Sequence, residues 1–193
     1  MEKNIVYNEL SKENIDILYS LKNKTIAYLV HDPLQYSKTV TGVVGIAFDE
    51  GFVSLECNLE KREFFGDCEE IASFSLIRKK ENEQQSWLEN VKQIKYAIQK
   101  RVNGIRLVFD EIEASGFEAF HFLKAIELQF EDGSNLYLIK GTWFMEEICP
   151  LVSTKDESAV PVDEEVWQQG QVKGRVKRKI YEIKEGGLVY PIP

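Results

Sequence analysis

Two histidines, three cysteines and several acidic pairs are the side chains whose chemistry could reach beyond packing. His31 stands beside Asp32 at the end of an apolar run, and His121 stands between Phe120 and Phe122. A histidine oriented by a carboxylate can serve as a base, and Cys57 or Cys68 could then be the nucleophile. The plainer reading is a surface histidine at a strand end and two small buried cysteines, and it is the one expected. Ten residues separate Cys57 from Cys68, where a zinc knuckle needs about two to four, so no metal site is expected. Carboxylates are more numerous. Asp110, Glu111 and Glu113 follow one apolar run and Glu146 and Glu147 lie beside another, while Asp49-Glu50 and Glu131-Asp132 each precede a glycine. Such groups at strand ends could bind a divalent cation or act on a glycosidic bond, but acids in turns more often serve local hydrogen bonding and solubility.

The charge distribution points to a partner instead. The 193 residues carry 24 basic and 32 acidic side chains, a net of −8. Residues 104–165 hold four basic residues against fourteen acidic ones, a local net of −10. In residues 172–179, by contrast, five of eight are basic. A negative field repels phosphate backbones and attracts cationic surfaces, so nucleic acid is not expected as a partner and a basic protein is. The residues expected to meet it are Asp110, Glu111, Glu113, Glu118, Glu131, Asp132, Glu146 and Glu147. The basic stretch reads as an edge strand that neutralises the acidic loop of residues 156–165, with its lysines discouraging edge-to-edge pairing.

The elements that must position these groups read as α+β. Ser11 is placed to cap a short helix, with Ile15, Leu18 and Leu21 at helical spacing. Strands follow at residues 25–30, 39–48, 52–57 and 71–77, the second and third joined by Asp49-Glu50-Gly51 as a hairpin. After a polar linker at 79–85, Ser86-Trp87-Leu88-Glu89 spells a capping box, and Trp87, Val91, Ile94, Ile98 and Val102 predict a second helix closed by Asn103-Gly104. Strands are then expected at 105–112, within 117–130, at 136–139 and near Ile148. The two halves match in order, and Phe48-Asp49-Glu50-Gly51 aligns with Phe130-Glu131-Asp132-Gly133. We therefore expect two tandem αββββ repeats, residues 1–80 and 81–150, forming antiparallel sheet with helices on one face. Residues 151–193 should add the acidic loop, the basic strand and a loosely held tail, all within one compact domain.

The sequence also excludes a good deal. It contains no Walker loop, GxGxxG, HExxH or GxSxG, and no cofactor is expected. Its longest uncharged run, residues 39–48, is ten residues, well short of the ~18 that span a bilayer. Glu2 and Lys3 argue against a signal peptide. Three cysteines in no disulfide framework fit a reducing cytoplasm. The profile, a small acidic α+β chain sparse in catalytic residues, resembles the cytoplasmic immunity proteins that neutralise bacterial toxins. That likeness is one of type, with no motif behind it, and it implies a non-catalytic protein whose carboxylates occupy a partner's cationic groove. The alternative is a small-molecule-binding protein or hydrolase with a carboxylate-lined pocket between the repeats, where Asp110, Glu111 and His31 would converge. A homodimer built on the repeat is a third expectation.

Overall fold

The computed structural model describes residues 4–34, 39–64, 67–84, 86–113, 118–154, 159–162 and 174–191. Of these residues 66% are strand and 8% helical, with a single α-helix among them. In chain order the elements are β1 (Asn4–Asn8), α1 (Lys12–Tyr19), β2 (Thr25–His31), β3 (Val40–Thr41), β4 (Val43–Phe48) and β5 (Gly51–Phe64). They continue as β6 (Asp67–Lys79), β7 (Ile94–Glu113), β8 (Glu118–Phe130), β9 (Asn135–Lys140), β10 (Glu147–Ser153), β11 (Arg175–Lys184) and β12 (Gly187–Pro191). The strands run in the order β3-β10-β9-β8-β7-β2-β4-β5-β6, with β1 added parallel to β8 and β11 added antiparallel to β7.

This path closes on itself. β3 pairs with β10, and only Gly42 separates β3 from β4, which pairs with β2. The backbone bends there at a φ of +70°, and a Cβ on Gly42 would lie 2.1 Å from the Trp87 ring. Both demands require glycine. The ring of strands encloses the main apolar core, which takes Leu29 from β2, Ile46 from β4, Leu107 from β7, Leu128 from β8, Leu136 from β9 and Ile148 from β10. α1 adds Leu18 to that core and lies against β6, β11 and β12. Ser11 caps it, its Oγ accepting from the Asn14 amide at 3.2 Å.

The expectation of an α+β fold with helices on one sheet face is overturned: the structure is mainly antiparallel sheet. The second predicted helix does not form. Residues 94–102 belong to β7, so the second half lacks the helix that an αββββ repeat requires. The error has a clear cause, because Ile94, Ile98 and Val102 are spaced by four, which satisfies a helical stripe and also keeps all three on one face of a strand. Two of them are buried, and the β-branched side chains favour the extended form. The supposed capping box is a local turn. Ser86 Oγ accepts from the Leu88 amide at 3.0 Å, and Asp32 Oδ2 accepts from the amides of Trp87 and Leu88 at 2.9 and 3.2 Å. Asn103-Gly104 marks a bulge between β7 and β8 rather than a helix end. The tail is also held as far as Pro191, since β12 pairs with β11.

Candidate functional site

The acidic residues singled out in the sequence separate into distinct environments. β11 runs antiparallel to the end of β7, setting Lys177 opposite Glu111 and Arg178 opposite Asp110. Asp110 is buried and receives Arg178 through two hydrogen bonds, Nε to Oδ1 at 2.8 Å and Nη2 to Oδ2 at 2.9 Å. Lys179 pairs with Glu111 at 2.5 Å and Lys177 with Glu113 at 3.3 Å. The basic strand therefore meets the carboxylates of β7, and Arg178 also donates to the Val160 and Pro161 carbonyls of the loop of residues 156–165; most of that loop, and Lys173, lie outside the described residues. β12 covers only Tyr181–Lys184 of β11, so among the described residues its basic part, 175–179, pairs with β7 alone and lies at a sheet edge.

Glu131 and Asp132 lie at the other end of β8, in the turn to β9. Arg101 approaches Glu131 at 3.5 Å, and Lys100 meets Asp132 at 2.8 Å. The Lys100 ammonium, followed by Ser134, holds the Asp132 carboxyl well below the usual range. Glu146 Oε1 accepts from the Leu59 amide at 3.4 Å, and Glu147 opens β10 beside Gly141. Glu118 pairs through its backbone register with Asn4, and its side chain lies outside the described set. Six of the eight acids thus divide between opposite ends of the β7–β8 pair, Glu146 and Glu147 lie at the start of β10, and five of the eight face a lysine or arginine. The exposed pairs among them stabilise little, but they do remove free charge.

His31 is not a surface residue, being 5% exposed. It lies opposite Ile94 at the start of β7, whereas Asp110 and Glu111 are near the end of that 20-residue strand. The three groups expected to converge therefore do not. His121 stacks on Phe109 with centroids 4.5 Å apart and faces Glu9 at 3.5 Å, and burial is the main cause of its lowered pKa. Of the two cysteines expected to be buried, Cys57 is and Cys68 is exposed. Among the described residues, no group of three or more His, Cys, Asp or Glu side chains could hold a metal ion.

What the strands do assemble is an apolar recess of about 310 Å³, where β2 and the start of β7 face β9 and β10. Its lining is Leu29, His31, Leu34, Ile94, Tyr96, Leu136 and residues 150–152. Leu29 and Leu136 are core residues, 1% and 0% exposed, while Leu34, Ile94 and Tyr96 leave 46%, 43% and 52% of their surface uncovered. The register explains the grouping, because Leu29 pairs with Tyr96 and His31 with Ile94, so alternate residues of two neighbouring strands share one face. The recess is apolar from floor to rim, with the His31 ring and the Tyr96 hydroxyl as its polar side-chain groups. A larger open groove of about 770 Å³ lies between α1 and β6, and Lys12, Glu13, Asp16 and Arg78 give it a charged lining.

Sequence reasoning passed over both this recess and the buried Lys140. Lys140 is 0% exposed, and its Nζ donates to Asn8 Oδ1 and to the Ala72 carbonyl, both at 2.7 Å. Its ammonium also sits over the Phe122 and Phe74 rings, 4.2 and 4.8 Å from their centroids. Burial pushes this lysine down to about 7. With its two hydrogen bonds and two ring faces it ties β1 and β6 to β9.

Comparison with protein-family profiles, curated proteins and solved structures finds no match to this chain. Among the described residues, no helix is long and apolar enough to cross a membrane.

Proposed function

We propose that this protein binds a small, largely apolar molecule in the recess between β2–β7 and β9–β10, without transforming it. The observation that carries the reading is a cavity whose floor is the core itself and whose rim is exposed apolar side chains. About 310 Å³ is at the lower end of the volumes that small-molecule sites occupy. Exposed Leu34, Ile94 and Tyr96 beside one concavity are what a ligand would cover. Among the described residues no cysteine, serine or carboxylate lines the recess beside His31, so they assemble no nucleophile–base pair there.

Binding is read with N-phenyl-1-naphthylamine, whose emission rises in apolar surroundings. The wild-type chain should raise it saturably. Ile94→Glu, which sets a carboxylate at the rim, should weaken that binding by about tenfold or more. Ile77→Glu, at an exposed position beside the charged groove, should leave it unchanged. No saturable rise with the wild type, or equal binding by the two variants, would contradict the reading. A second reading keeps the basic protein partner of the immunity-protein kind. The net charge of −8 supports it through long-range attraction rather than through any assembled acidic face.

A further inference from the structure

We propose that the recess selects a ligand with an apolar body and one hydrogen-bond-donating head, a phenol or aromatic amine in chemical class, and that His31 Nε2 receives that head. The inference rests on the small-molecule reading above and adds to it the polarity of what is bound.

His31 lines the recess, and its Nδ1 lies 2.6 Å from the Asp32 carbonyl oxygen. A carbonyl oxygen only accepts, so the proton belongs to Nδ1, and Nε2 of the neutral ring presents a lone pair. Among the described residues nothing donates to Nε2. The neighbouring Asp32 is fully buried, and while its Oδ2 accepts two amides, its Oδ1 has no hydrogen-bond partner among the described residues. This end of β2 therefore holds more acceptors than donors. A ligand hydroxyl or N–H would pair with the Nε2 acceptor where the rest of the lining is apolar. A head that can only accept would place lone pair against lone pair and lose its water without return. Around the histidine, Leu29, Ile94, Leu136 and Val152 offer only apolar contact, which suits a flat hydrocarbon body.

The test uses 2-naphthol and 2-methylnaphthalene, which match in shape and differ in the donor, each titrated against N-phenyl-1-naphthylamine on the full chain. The ratio of their affinities on the wild type, divided by the same ratio on His31→Leu, should be about five, the worth of one neutral hydrogen bond. His31→Gln, whose amide oxygen can accept, should recover part of the preference. Circular dichroism and melting confirm that each variant is folded, and His31→Phe replaces His31→Leu in the same comparison if the latter is not. An unchanged ratio overturns the assignment of His31 while leaving the small-molecule reading in place. If neither naphthalene displaces the probe from the wild type, both readings fall.

Discussion

Arg178→Leu should destabilise the protein by about 3–5 kcal/mol, among the largest effects of any single substitution outside the central core. The reason lies in what it leaves behind. The side chain of Asp110 is 5% exposed and that of Arg178 16%, so the pair is shielded from water and held by two parallel hydrogen bonds. Removing the guanidinium strands a carboxylate in a place that cannot hydrate it. It also frees the carbonyls of Val160 and Pro161, which Arg178 contacts at 2.6 and 3.0 Å. For a chain of this length the melting temperature should fall by roughly 10 °C. Asp110→Leu combined with Arg178→Leu should recover most of the loss, because a buried ion pair stabilises little over apolar residues of similar size. Urea unfolding of the single and double variants checks this. A change under about 0.5 kcal/mol in Arg178→Leu would mean that the pair is far better solvated than its burial indicates.

The second large effect concerns Lys140 and depends on pH. A free lysine titrates near 10.5, and burial lowers this one to about 7. Between those values the unfolded chain holds a proton that the folded chain has released. Wild-type stability should therefore rise with pH across this window, by a slope approaching about 1.4 kcal/mol per pH unit. Below about 7 both states are protonated and the contribution is constant. Burial raises the Cys57 thiol to about 11 from its ordinary 9, which acts oppositely above pH 9 because the unfolded chain then loses its proton first. The rise is thus clearest from pH 7 to 9. Lys140→Met should abolish it. The methionine leaves Asn8 Oδ1 and the Ala72 carbonyl without this donor, so at pH 9 it should be less stable than the wild type by about 2–4 kcal/mol. Parallel wild-type and variant stabilities over that range would show that Lys140 stays charged in the fold.

Much of the strand content was legible because it is local. Gly51 and Gly133 end acidic turns between apolar runs, and Ser11 precedes a short helical stripe, so these hairpins and α1 follow from neighbours in sequence. The α-helix expected after Ser86 failed because a spacing of four cannot distinguish periods of 3.6 and two over a short stretch, and because Asp32, more than fifty residues earlier, holds that turn. The acidic run was legible as composition and misleading as a surface. Nothing local says that β11 will lie against β7 and set Arg178 on Asp110. His31 was visible as an unusual residue, but its partners come from β2, β7, β9 and β10, brought together only by ring closure at Gly42. A usable signal was the repeated pattern of an apolar residue, one intervening position and a polar ring, Leu29 to His31 and Ile94 to Tyr96, on strands that prove to be paired. Lys140 ends an otherwise apolar strand, where a lysine ordinarily reads as solvent-facing, so its burial had no sequence signature.

The most direct measurement is amide chemical-shift mapping of the isotope-labelled chain during titration with 2-naphthol. Saturable shifts should centre on Leu29, His31, Ile94, Tyr96, Leu136 and Val152, with the residues between α1 and β6 unmoved. Shifts concentrated on Lys12, Asp16 and Arg78, or no saturable shift anywhere, would contradict it.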